Sequence, residues 1–243
     1  MLTRRRFLLA SGTALGAFSL GAQGTDSVPT NLDHVLLGCR DLDQGITFVE
    51  SHTGVRAAFG GVHPGRGTQN ALLSLGERHY LEIIAPDPQQ EMPQNRVPGT
   101  GPDLVTELKS LASPRLVGWA VHPGSLADFA KKLRAAGIAF HGPTRGSRKR
   151  PGGRLLEWQT LNLDKDDSGL LPFFIEWAAD SPHPASDAPQ GCRLFRFELV
   201  TPNLEALRKT VELMSLGATV TRGSKPEIRA RISGPKGEVD LAS

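Results

Sequence analysis

Three short apolar stretches each carry one carboxylate: Glu82 in Leu81-Glu82-Ile83-Ile84, Glu176 in Phe174-Ile175-Glu176-Trp177, and Asp240 in Val239-Asp240-Leu241. A charge in a half-buried strand is costly unless it is paired or coordinates a metal. One histidine sits in a similar setting, His34 in Leu32-Asp33-His34-Val35. A second, His63, shares a glycine-rich run with Thr68 and Asn70. Imidazole with carboxylates suits divalent ions such as Zn, Mn, Fe or Ni. The same groups serve equally as acid and base. Plainer readings stand beside these. A lone histidine among apolar residues is usually hydrogen-bonded, and Glu176 has Arg154 as a candidate salt-bridge partner. The Thr and Asn of a glycine-rich turn often bond the backbone.

Positioning those groups requires strands, and the chain repeats one order of elements. In the first block, strand Leu32–Leu37 precedes helix Leu42–His52, stopped by Gly54. Strands follow at Val55–Phe59, Thr68–Leu75 and Arg78–Ala85, with the loop Gly60–Gly67 between the first two. The second block has strand Leu116–Val121, helix Ser125–Ala136, then strands Arg154–Leu163 and Pro172–Ala178. Between helix and strand the basic stretch Gly142–Gly153 reads as a mobile loop. A third block runs Cys192–Val200, helix Asn203–Ser215, Glu227–Ser233 and Glu238–Leu241. Strand alternation places His34 and Leu36 on one face, and Tyr80, Glu82 and Ile84 on one face, away from the helices. The expected fold is therefore α+β. Repeated βαβββ modules form a curved, cup-like mixed sheet with helices on its outer side.

The order of blocks, with Leu32-Asp33-His34-Val35, the loop from Gly60 to Asn70, Tyr80-Leu81-Glu82-Ile83-Ile84-Ala85, Leu171–Trp177 and His183-Pro184, resembles the vicinal oxygen chelate superfamily. Within it the chain is most similar to glyoxalase-like domain proteins. The resemblance implies a domain over residues 30–185, with modules at 30–90 and 114–182, and a looser third module at 190–243. It implies a cup with a divalent metal at its floor, held by His34, Glu82 and Glu176. The fourth equivalent position falls on Gly118, which cannot ligate, so glyoxalase I and extradiol dioxygenase activities fit poorly. His63 would be the nearest general acid or base. Thr68, Asn70, Arg154, Trp158 and Trp177 are the candidates to meet the substrate; the plain reading of the tryptophans is core, and that of the basic stretch a solvated surface, which could instead attract an anionic group. The implied activity is a metal-dependent lyase or isomerase acting on a small oxygen-rich molecule. The alternative is a protein that holds such a molecule without turning it over.

Residues 1–24 read as a signal peptide. Arg4-Arg5-Arg6-Phe7-Leu8-Leu9 opens a glycine-diluted apolar stretch, and Ala22-Gln23-Gly24 is a small-x-small cleavage site. Paired arginines of this kind resemble the twin-arginine signal, so a periplasmic or secreted protein is expected. Without those three arginines the chain has 25 basic and 25 acidic residues, which argues against nucleic-acid binding. The membrane would be met only through the signal. Cys39 and Cys192 are expected as free buried thiols. Arg196 and Asp240 occupy the third block's equivalent site positions, where opposite charges point to an internal ion pair. A monomer or homodimer is expected, the third block shielding a sheet edge.

Overall fold

The computed structural model describes residues 27–90, 104–150, 152–164, 166 and 168–243. The proposed signal peptide lies outside them, as does most of the Pro- and Gln-rich connection after Pro86. The first module comprises β1 (Leu32–Gly38), α1 (Leu42–Thr53), β2 (Ala58–His63), β3 (Thr68–Ser74) and β4 (Tyr80–Pro86). A short α2 (Leu104–Ser110) leads to β5 (Arg115–Val121), α3 (Leu126–Ala135), β6 (Phe140–Lys149), β7 (Leu155–Leu163) and β8 (Phe173–Trp177). A 3-10 turn at Pro184–Ser186 precedes β9 (Arg193–Thr201), α4 (Leu204–Leu213), β10 (Thr219–Arg222), β11 (Glu227–Gly234) and β12 (Gly237–Ala242).

Local chemistry sets the helix limits. Asp41 accepts a hydrogen bond from the Gln44 amide to start α1, and Gly54 at φ 80° ends it in the left-handed region that glycine tolerates. Ser125 caps α3 in the same way through the Asp128 amide. Each helix buries one apolar stripe: Leu42, Ile46 and Val49 in α1, and Leu126, Phe129, Ala130 and Leu133 in α3.

The first two modules share one sheet of order β2-β3-β4-β1-β5-β8-β7-β6. The central strands β1 and β5 are antiparallel, and each has its own module's last strand parallel beside it. The sheet curls until its two ends meet: a Cβ on Gly61 would lie 2.9 Å from the Lys149 carbonyl, and one on Gly60 would strike the Arg148 guanidinium. These two glycines let the edges close. Val35, Leu37, Trp119 and Phe174 face the helices, and Trp119 and Phe197 rings 4.8 Å apart join the third module to the same core.

Four expectations change. The basic stretch is no loop: it forms β6, paired along its length with β7. Its charges and glycines hide a strand whose partner supplies most of the apolar surface. β2 begins later than expected and runs through Gly60-Gly61, leaving only residues 64–67 as the turn. The third module pairs with no edge of the large sheet. It forms its own sheet, β10-β9-β11-β12, and packs through β11 and β12 against α1 and β5. Nor do Arg196 and Asp240 pair with each other: Arg196 bonds Glu198, and Asp240 bonds Arg231. Both cysteines are free and buried.

Candidate functional site

The concave face of the large sheet gathers the polar residues of module one. β1 and β4 run parallel in the register His34 to Tyr80 and Leu36 to Glu82, so His34 and Glu82 lie diagonally across one face. The His34 ring stacks on Tyr80 at 4.5 Å and meets the edge of Phe173 at 5.5 Å. A bulge between Leu32 and His34 turns Asp33, an odd-numbered position, toward the same histidine. Asp33 Oδ1 lies 2.7 Å from His34 Nδ1, and Oδ2 accepts from Trp177 Nε1 at 3.1 Å and His183 Nε2 at 3.2 Å. His34 Nε2 faces Glu82 Oε2 at 3.3 Å, a charge contact without hydrogen-bond geometry.

The hairpin β2–β3 completes the cluster. Glu82 Oε1 accepts from Asn70 Nδ2 at 2.6 Å, and Asn70 Oδ1 accepts from Arg148 Nη1 at 2.8 Å. His63 Nδ1 lies 2.8 Å from Thr68 Oγ1, and its Nε2 lies 3.3 Å from Asn70 Nδ2 and 3.6 Å from Glu82 Oε1. Asp33, His34, Thr68, Asn70, Glu82 and Arg148 are all buried.

Burial and charge set the protonation states. Burial alone would lower His34, but the Asp33 hydrogen bond and the charges of Asp33 and Glu82 outweigh it and raise the imidazole to about 9. Burial would raise Glu82, yet His34, His63 and Asn70 hold it well below the ordinary carboxylate range. Burial likewise opposes Asp33, and the His183 and His34 contacts bring it lower still. For His63 burial prevails: with Arg148 and Arg66 adding to it against Glu82, the ring falls to about 4. At neutral pH the cluster therefore holds an imidazolium between two carboxylates, beside a neutral imidazole.

The second module lines the other side with apolar groups. Ala120, Leu156, Trp158 and Ile175 cluster there with Phe173 and Trp177, and the Trp158 and Trp177 rings are 5.5 Å apart. Gly118 lies across Leu36 from Glu82, two strand spacings or roughly 10 Å away. A Cβ placed on Gly118 would meet nothing within 4 Å, so space opens at this point of the cup.

Of the expected site residues, His34, His63, Thr68, Asn70 and Glu82 are brought together, and Trp158 and Trp177 stand opposite. Glu176 is not among them. It follows Phe174 onto the helix side of β8, where it accepts a hydrogen bond from the Leu126 amide at 2.7 Å and caps α3. Its expected partner Arg154 is exposed in the turn between β6 and β7. Asp33 and Arg148 are the members that sequence patterning passes over. Strand alternation assigns Asp33 to the wrong face, and Arg148 hides in a stretch that reads as loop.

The donors present do not fit a protein-held divalent ion. Glu176 points elsewhere, Gly118 and Ala120 offer no donor, and no group of three or more His, Cys, Asp or Glu among the described residues is arranged to hold one. His34 Nε2 and Glu82 are two donors from one module, with an apolar wall facing them.

Fold and site together define a protein of two βαβββ modules around one cup, with polar and apolar halves. The chain belongs to the glyoxalase-like domain family, whose model matches residues 32–214. Among solved structures it is similar to a hypothetical protein from Staphylococcus aureus, at 15% identity over 87% of this chain and 84% of that one, TM-score 0.64. It also matches methylmalonyl-CoA epimerase from Mycobacterium tuberculosis, at 23% identity over 63% of this chain and 91% of that one, TM-score 0.44. A variant of the Streptomyces coelicolor methylmalonyl-CoA epimerase in complex with 2-nitronate-propionyl-CoA matches at 20% identity over 64% and 99%, TM-score 0.44. The first of these supports the fold. No curated protein matches the chain.

Proposed function

We propose that this protein is an exported acid–base enzyme of the isomerase or lyase type, acting in the cup on a small molecule with adjacent oxygens. The observation that carries this reading is the charge pattern at the floor. Ionised Glu82, protonated His34 and neutral His63 share a concavity with an aromatic wall, and such sets of displaced titrations concentrate at functional sites. The oxygens of the substrate would lie toward Asn70, His63 and Glu82, and its apolar body toward Trp158, Trp177 and the gap at Gly118. Glu82 would take a proton from carbon next to a carbonyl, and His63 would serve the carbonyl oxygen. Asp33 would hold the His34 ring, and His34 would hold Glu82 in place. No step passes through a metal ion, because the second module lacks the donors to hold one.

Proton exchange tests this directly. Small 2-oxo and 2-hydroxy acids and aldehydes are incubated with the protein in deuterated water, and loss of the α-proton signal is followed by NMR. Wild type incorporates deuterium into at least one compound, and Glu82→Gln does not. Binding with no exchange moves the conclusion to the second reading, a protein that sequesters the molecule. That reading draws on one observation: apart from His34 Nε2, the polar side chains of the cluster are paired with one another. Elemental analysis completes the test. One equivalent of Zn, Mn, Fe or Ni, lost in His34→Gln, would overturn the metal-free reading.

A further inference from the structure

A cavity of about 850 Å³ lies beside the cup, where the three modules meet. Its size is that of a small-molecule site. Asn31 at the approach to β1, Arg78 before β4, His122 after β5, Lys132 on α3 and Ser215 after α4 all line it. Two cations, Arg78 and Lys132, and two carboxylates, Asp33 and Asp128, stand in its lining. Arg78 makes no ion pair with any described residue, and Lys132 bonds the Ser215 hydroxyl at 3.1 Å. The acids nearby are engaged elsewhere: Asp128 is paired with Lys131 at 2.8 Å, and the Asp33 carboxylate is held by His34, Trp177 and His183. His122 gives its Nδ1 to the Ile175 carbonyl at 3.1 Å, which leaves Nε2 without a protein hydrogen bond.

A second feature marks the same place. Ser215 has φ 56°, and it is the one non-glycine residue with positive φ among those described. A backbone in the left-handed region costs of order 1–3 kcal/mol and persists where the surroundings dictate it. Here they do: the Ser215 carbonyl accepts from Asn31 Nδ2 at 2.9 Å, and its hydroxyl takes the Lys132 ammonium. One strained residue thus ties module three to modules one and two at the mouth of the cavity, and holds Lys132 in place there.

We propose that this cavity is a second binding site, for a small organic anion bearing a carboxylate or phosphate group. Arg78 and Lys132 receive the charge, and the His122 ring, Asn31 and Ser215 offer hydrogen bonds around it. The cavity adjoins the cup through Asp33, whose carboxylate lines it and also holds His34.

Calorimetric titration with inorganic phosphate and with succinate, at ionic strength matched with chloride, tests the proposal. At least one probe binds wild type. The double variant Arg78→Gln, Lys132→Gln, in which glutamine can still reach Ser215, weakens that binding at least about tenfold. Glu82→Gln in the cup leaves it unchanged. Phosphate alone binding identifies a phosphate ligand, and succinate alone a carboxylate. No heat from either probe above the chloride control, or equal binding by the double variant, overturns the proposal.

Discussion

The two histidines at the floor of the cup are shifted in opposite directions, which predicts a narrow optimum of stability. His34 sits at about 9 in the folded chain against an ordinary 6.5. Its contribution is therefore complete below pH 6.5 and is lost as pH rises through 9. His63 sits at about 4 against 6.5, so its contribution is complete above pH 6.5 and is lost as pH falls through 4. At 1.36 kcal/mol per decade, each limb amounts to roughly 2–3 kcal/mol between pH 6.5 and either pH 4.5 or pH 8.5. At the acid end of that window Glu82, lowered from 4.5, begins to add to the same limb, while the alkaline end stops short of Cys39, raised from 9.0 by burial and Asp41. His79 is also lowered by burial and adds to the acid limb. Urea unfolding at pH 4.5, 6.5 and 8.5 should place the highest midpoint at pH 6.5. Each flank should fall by about 1–2 M, taking the usual slope for small proteins. His34→Gln should flatten the alkaline flank, and His63→Gln should reduce the acid one. A wild-type midpoint at pH 8.5 equal to or above that at pH 6.5 would refute the imidazolium between Asp33 and Glu82.

The glycines give a paired test. Gly60→Ala drives a Cβ into Asn70 and Arg148 at under 3.0 Å and should cost about 1–3 kcal/mol in urea unfolding, whereas Gly118→Ala enters open space and should cost less than about 0.5 kcal/mol. Glu176→Ala removes the acceptor for the Leu126 amide and should cost about 1 kcal/mol, with ligand binding in the cup unchanged by calorimetry. Gly118→His would supply the second module with the donor it lacks. Divalent cobalt, read by its visible absorption, should bind this variant more tightly than wild type.

Much of the fold is legible because it repeats. A helix with one apolar stripe, stopped by glycine, and a closing strand with one carboxylate recur in order, and alternation correctly puts His34 and Glu82 on the cup face. The errors fall where local pattern and tertiary setting part company. β6 contains Arg145, Arg148 and Lys149 and two glycines, and only pairing with β7 makes it a strand. Asp33 breaks alternation through a bulge, which no period-two reading detects. Glu176 matches Glu82 in its neighbours but not in its face. Glu82 lies on the side of Tyr80 and His34, whereas Glu176 lies on the side of Phe174, against α3.

That last difference explains how two modules of one design come to divide the work. In module one the closing carboxylate faces inward and must be balanced, and His34, His63 and Asn70, with Arg148 behind Asn70, supply the balance. Arg148 comes from module two and reaches Asn70 only because Gly60 has no side chain to block it. In module two the carboxylate faces outward and is spent on a helix cap, so its inner strands are left to Ala120, Ile175, Phe173 and Trp177. A charge buried alone would be expelled or neutralised, and an apolar wall alone would bind without orienting. The chain places one opposite the other across Leu36 and Gly118. On the function proposed above, a ligand with oxygens at one end and an apolar body at the other would satisfy both walls.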